Sequence, residues 1–113
     1  MEAAMIRFKC LVNGAIDAPT RDRVAQGVRA IYGRHFGLPP AQLQVDFIEV
    51  AAGMWFTAGR PSQASMVLGS VPAGTSQQTR VDLMAAVCEM FSEATGAPYN
   101  DVMVVAADPR APG

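Results

Sequence analysis

The chain states one pattern twice. A strand-like run, a helix-like run, a Gly-x-Pro turn and a second strand-like run fill residues 5–50 and return over residues 64–108. Thr20-Arg21 matches Thr79-Arg80, an offset of 59 positions (79 − 20) that then continues without a gap. Under it the helical apolar stripe Val24, Val28, Ile31 becomes Leu83, Val87, Met90, Gly37-Leu38-Pro39 becomes Gly96-Ala97-Pro98, and Leu43/Val45 becomes Val102/Val104. Two copies of one β-α-β unit predict a single domain over residues 1–113 with internal pseudo-twofold symmetry. Its parts are repeat one (5–50), a linking hairpin or loop (51–63), repeat two (64–108) and a tail (109–113).

Composition narrows what such a domain does. Half the residues are apolar and the formal net charge is −1, so no broad positive field favours nucleic acid or an anionic membrane surface. The longest apolar stretches fall far short of the ~20 residues a membrane span needs, and no basic-then-apolar leader opens the chain. A cytoplasmic protein with neither nucleic-acid nor membrane partners is the expectation. The two cysteines, Cys10 and Cys88, form no CxxC pair and read as reduced core thiols. His35 is the single histidine, and no cluster has metal-ligand spacing, so neither a metal nor a cofactor is expected.

Alternation over residues 5–12 puts Ile6, Phe8, Cys10 and Val12 on one face of a strand, with Arg7 and Lys9 on the other. Asp17 fits an N-cap with Pro19 in the first turn, and the stripe Val24, Val28, Ile31, His35 predicts a helix ending at Gly37. Residues 43–50 alternate as a second strand, followed by a loop or short hairpin to Gly59. The second unit opens with a strand over 65–71 and a turn at Pro72-Ala73-Gly74. A Thr75-x-x-Gln78 capping box then leads a helix to Thr95, and a strand over 102–107 closes the set. Met84 and Met90 read as core filling.

Two architectures satisfy this order: a ferredoxin-like sandwich, or a four-stranded mixed sheet with two antiparallel helices on one face that assembles as a trimer. In the second, neighbouring subunits cover the bare sheet face. Leu11, Met66 and Leu68 lie beside Arg7 and Lys9 on that face, a mixed surface that favours assembly. Arg7 and Lys9 are placed to meet an acidic group of a neighbour or a bound anion.

Glu49-Val50-Ala51-Ala52-Gly53, with Trp55, Phe56 and a closing Gly59, resembles the segment that follows the second strand in the tautomerase superfamily, the fold of 4-oxalocrotonate tautomerase and macrophage migration inhibitory factor. The resemblance spans residues 5–108 and is nearest to the cis-3-chloroacrylic acid dehalogenase group, also through Gln44-Val45-Asp46-Phe47. It implies a homotrimer with pockets near subunit boundaries. The family's chemistry uses an N-terminal proline whose secondary amine moves a proton while cations hold a carboxylate substrate.

The resemblance places Met5 at the proline position, where a peptide nitrogen cannot act as a base. The dehalogenase group's substrate-holding arginines fall on Pro72 and Thr75, the histidine of helix one on Tyr32, and a carboxylate near the last strand's end on Asp108. The second-strand arginine of shorter members falls on Gln44, and their pocket aromatic on Trp55, or on Phe56 after a one-residue shift. Loss of a positioned acid or base typically lowers rate by ~10²- to 10⁴-fold, so proline-based chemistry is expected to be weak or absent. The expected function is an altered tautomerase/isomerase- or hydratase-like reaction on a small keto or unsaturated carboxylic acid. Tyr32 and Asp108 then supply acid and base, and Arg7, Gln44, Trp55, Phe56 and Thr75 line the substrate. The alternatives are a noncatalytic trimeric binding or scaffold protein and a ferredoxin-like regulatory domain.

Overall fold

In a computed structural model, residues 6–51, 54, 56–57, 60–61, 65–98 and 101–107 are described. The elements are β1 (Ile6–Asn13), α1 (Ala18–Phe36), a 3-10 turn (Pro40–Gln42), β2 (Leu43–Val50), the short hairpin strands β3 (Phe56–Thr57) and β4 (Arg60–Pro61), β5 (Ser65–Ser70), α2 (Gln77–Thr95) and β6 (Val102–Ala107). The main sheet has the order β2-β1-β5-β6. Parallel pairs β1–β2 and β5–β6 meet along the antiparallel β1–β5 seam. A ferredoxin-like fold splits each β-α-β unit so that its two strands are not neighbours. Here each crossover joins adjacent strands, which selects the second architecture.

The offset of 59 survives in the geometry. Ile6 pairs with Leu43 and, 59 residues on, Ser65 pairs with Val102. Asp17 caps α1 and Ser76 caps α2; Gly37 and Gly96 end them in the left-handed conformation that glycine adopts without a Cβ penalty. The local twofold passes through Lys9 and Leu68, themselves 59 apart and Cα partners on the seam.

Phe8 and Cys10 of β1 and Val67 of β5 point at the helices and pack under Val28, Val87 and Phe91 in one core. Both cysteines are buried and neither is in a disulfide, as expected of reduced core thiols. Burial first, and the Asp46 charge second, push the Cys10 thiol up to about 12. At the end of the α1 stripe Tyr32 is buried with Val24, Val28 and Ile31, and His35 is a half-buried helix-end imidazole with Nδ1 2.9 Å from the Ile31 carbonyl. Tyr32 and Phe91 are counterparts (91 − 32 = 59), so the sheet-facing phase is the same in both helices.

The α2 cap is also corrected. Ser76, not Thr75, is the N-cap, its Oγ accepting from the Thr79 amide at 3.1 Å. The Thr75 hydroxyl donates instead to the Pro72 carbonyl at 2.6 Å, closing the turn before the helix. Ser76→Ala is expected to destabilise the fold by about 1 kcal/mol at any pH. Asp17 adds a charge-dependent cap. Hydrogen bonds from Thr20, side chain first and backbone second, hold its carboxyl below the ordinary 3.8. A depressed carboxylate stabilises above its unfolded pKa and loses that contribution as pH falls through the folded one. Asp17→Asn is therefore expected to be less stable than the parent at neutral pH and to match it in acid, read by urea unfolding at both.

Candidate functional site

Strand directions decide what converges. β1 and β2 start at the same sheet edge, β5 runs antiparallel to β1 and ends there, and β6, parallel to β5, ends there too. A helix that returns along its strand brings the C-terminal end of α1, the 71–76 turn and the first turn of α2 to this edge. A cross-chain contact fixes the arrangement: the Tyr32 hydroxyl of α1 donates to the Ser70 carbonyl of β5 at 2.7 Å. The edge therefore gathers Arg7, Tyr32, Gln44 and Thr75.

Tyr32 was expected to offer an acid or base at a pocket rim. The structure places it in the core at 1% exposure, with Phe8 edge-on at 5.9 Å and Phe36 tilted at 5.5 Å. Burial pushes its phenol well above the ordinary range, so it stays protonated, and the one proton it carries is engaged by Ser70. The group anchors the sheet edge to α1. Its approach depends on Gly69, where a Cβ would meet Tyr32 Oη at 2.7 Å and the Phe8 ring at 2.8 Å.

Thr75 is equally committed, because its hydroxyl and its amide (3.2 Å) both donate to Pro72. Arg7 is exposed on the sheet face away from the helices, beside its Cα partner Gln44. Gln44 Nε2 donates to both Asp46 carboxylate oxygens, at 3.2 and 3.1 Å, and Asp46 pairs in register with Lys9. Arg7, Lys9, Gln44 and Asp46 thus form one polar corner of the outer face. The hydroxyls of Tyr32 and Thr75, by contrast, both donate to backbone carbonyls. Met5, Trp55 and Asp108 lie outside the described residues, and Phe56 is described only as backbone of β3.

The middle of the outer face, over β2, β5 and β6, is apolar. Ile48, Met103 and Val105 are 43%, 53% and 40% exposed, and register aligns Met66 with Met103 and Leu68 with Val105. Sequence reading found Leu11, Met66 and Leu68 there and missed the β2 and β6 contributions. The signal was the offset of 59, which carries outward-facing Gln44 and Asp46 onto Met103 and Val105. On the opposite side of the molecule a groove of about 330 Å³ runs between α1 and α2, around Gly27, Arg34, Met90 and Glu93. Met90 occupies the space left by Gly27, where a Cβ would lie 2.6 Å from its Cγ. None of the expected site residues lines this groove. Among the described residues no helix is long and apolar enough to cross a membrane.

No family model matches the sequence, and no curated protein matches it. Solved structures do. Native Ps01740 superposes with a TM-score of 0.84 at 30% identity, over 90% of this chain and 92% of that one. N1, a member of the cis-3-chloroacrylic acid dehalogenase family, gives 0.84 at 21% identity over 90% and 73%. A fused 4-OT described as a symmetric trimer gives 0.82 at 19% identity over 90% and 84%. At such identities the last two speak for the fold. Unsplit, duplicated β-α-β units, a local twofold on the β1–β5 seam and a 30% identical relative matched over nearly its whole length make this chain a member of the tautomerase superfamily.

Proposed function

We propose that the protein is a self-associating tautomerase-superfamily member that binds a small carboxylic acid at the β1 edge without proline-based proton transfer. The observation that carries this reading is the placement of Tyr32, which is buried and donates its hydroxyl proton to the Ser70 carbonyl. A group so placed orders the edge, and its hydroxyl is committed to the Ser70 carbonyl. Met5 at the position where the superfamily keeps its proline supports the same reading, and Arg7 beside Gln44 supplies charge for a carboxylate. Assembly as a homotrimer is supported by the exposed Ile48, Met103 and Val105 and by the trimeric fused 4-OT. A trimer would bury this apolar surface and set the polar corner near a subunit boundary.

The test is a tautomerase assay with phenylpyruvate and 2-hydroxymuconate, run beside a proline-bearing superfamily member. The expected rate is at least ~100-fold below that control. Comparable turnover, lost in Asp108→Asn or Tyr32→Phe, would replace the binding reading with an enzyme of altered tautomerase or hydratase mechanism.

A further inference from the structure

The groove between α1 and α2 lies on the local twofold, because its lining comes in pairs 59 positions apart. Gly27 with Ala86 (86 − 27 = 59) and Ile31 with Met90 form an apolar floor. Small side chains keep it open, and Met90 fills only the place beside Gly27. A volume of about 330 Å³ lies at the lower end of the range for small-molecule sites. The rim breaks the symmetry. Ala30 is matched by Glu89, and Arg34 by Glu93. One wall therefore carries a cation and the other two carboxylates.

Position along the helices decides what such walls can hold. α1 and α2 follow the antiparallel strands β1 and β5 and run antiparallel themselves. The contact of Met90 with Gly27 sets those two residues level. Arg34 is then about two turns along the groove from Gly27 (34 − 27 = 7 residues), with Glu89 between them on the facing wall. Helical side chains lean toward the N-terminus of their own helix, so Arg34 and Glu89 lean toward each other across the groove. Glu93 stays one i, i+4 step behind Glu89, roughly 5–6 Å away at Cβ. All three residues are exposed, and their side chains have no hydrogen-bond or ion-pair partner among the described residues. The complement of this arrangement is one carboxylate and two ammonium groups on a short methylene chain.

We propose that the groove binds a free basic amino acid, an α,ω-diamino acid of the lysine kind. Arg34 takes the α-carboxylate in the fork of its guanidinium, Glu89 the α-ammonium opposite, and Glu93 the terminal ammonium one helical turn away. The methylene chain lies on Met90 and Ala86, as the stem of a long cationic side chain lies on apolar surface. The site is on the helix layer and does not depend on the carboxylic-acid binding proposed at the β1 edge.

The test is a titration of the full chain with L-lysine, read from the Met90 methyl resonance in a ¹H–¹³C spectrum and assigned with Met90→Leu. Norleucine, which lacks the terminal ammonium, and cadaverine, which lacks the carboxylate, are titrated beside it. The expected result is a saturable shift with L-lysine and affinity at least about fivefold lower for either analogue. Glu93→Gln is expected to weaken L-lysine by a similar factor and to leave norleucine unchanged. Arg34→Gln is expected to weaken L-lysine and not cadaverine. Equal affinity for L-lysine and norleucine would reduce the groove to an apolar slot and overturn the assignment. A Met90 signal that moves with protein concentration and not with ligand would give the groove to a second copy, and also overturn it. So would a Met90 resonance that stays fixed while signals around Arg7 shift, an outcome that leaves binding at the β1 edge standing. The absence of any saturable shift would remove the site outright. The analogue series is read in the unmutated protein, so a variant that fails to fold leaves that result intact.

Discussion

Gly69→Ala is expected to lower unfolding free energy by about 3 kcal/mol, the upper part of the range for forcing an extra carbon into a packed core. The new Cβ would lie 2.7 Å from Tyr32 Oη and 2.8 and 2.9 Å from two carbons of the Phe8 ring, distances that require something to move. Neither neighbour is free to do so. Both are 1% exposed, they hold each other edge-to-face at 88°, and the Tyr32 hydroxyl is tied to the Ser70 carbonyl. Relief has to come from separating α1 from the sheet.

A double-mutant cycle isolates this mechanism. Tyr32→Phe alone removes the hydrogen bond and is expected to cost about 1 to 2 kcal/mol. In that background the closest obstruction is gone while Phe8 remains, so the alanine should become partly, not wholly, tolerated. Urea unfolding at one protein concentration reads all four proteins. Full additivity would mean that Gly69 and Tyr32 do not share the contact described.

Val105→Lys is expected to convert the trimer proposed above, three chains of 12.0 kDa each, to single chains of 12.0 kDa in sedimentation analysis. Val105 is 40% exposed in the isolated subunit, so the substitution leaves the subunit core alone. It puts an ammonium on the apolar part of the outer face, beside Leu68, and the threefold symmetry of the proposed trimer would repeat that charge at every equivalent contact. A buried unpaired charge is strongly unfavourable. Val81→Lys is the control: Val81 is 45% exposed, but it lies on α2, away from the sheet face, and its replacement should leave the mass unchanged. A monomeric wild-type protein, or a variant that keeps the larger mass, would contradict self-association through this face.

The architecture was legible because it was written twice. The Thr20/Thr79 alignment predicted an offset that strand registers, helix caps and helix ends all keep. Local chemistry was harder to read. Thr75 and Ser76 are both capable caps, and the box with Gln78 pointed to Thr75, although adding 59 to Asp17 already names Ser76. Tyr32 was read as a candidate acid because the resemblance puts the family's helix-one histidine there and its place beside the stripe lets a hydroxyl reach a rim. Its acceptor, Ser70, is 38 positions away and becomes a neighbour only through the fold. The run Val102-Met-Val-Val-Ala-Ala has no alternation of its own, so its outward side chains could be read only by carrying the β2 pattern across the offset of 59, which the pairing with β5 agrees with. Arg7 and Lys9 were placed on the correct face because β1 does alternate.

The local twofold through Lys9 and Leu68 has a consequence for how such a molecule can change. Backbone positions on the two halves are equivalent, yet Gln44 and Asp46 on one correspond to Met103 and Val105 on the other. A subunit made of a single unit would have to use the same side chains for adhesion and for ligand contact, and any gain in one would be a loss in the other. Joining two units in one chain uncouples those demands: one half can become sticky while the other becomes polar, with no alteration of the shared scaffold.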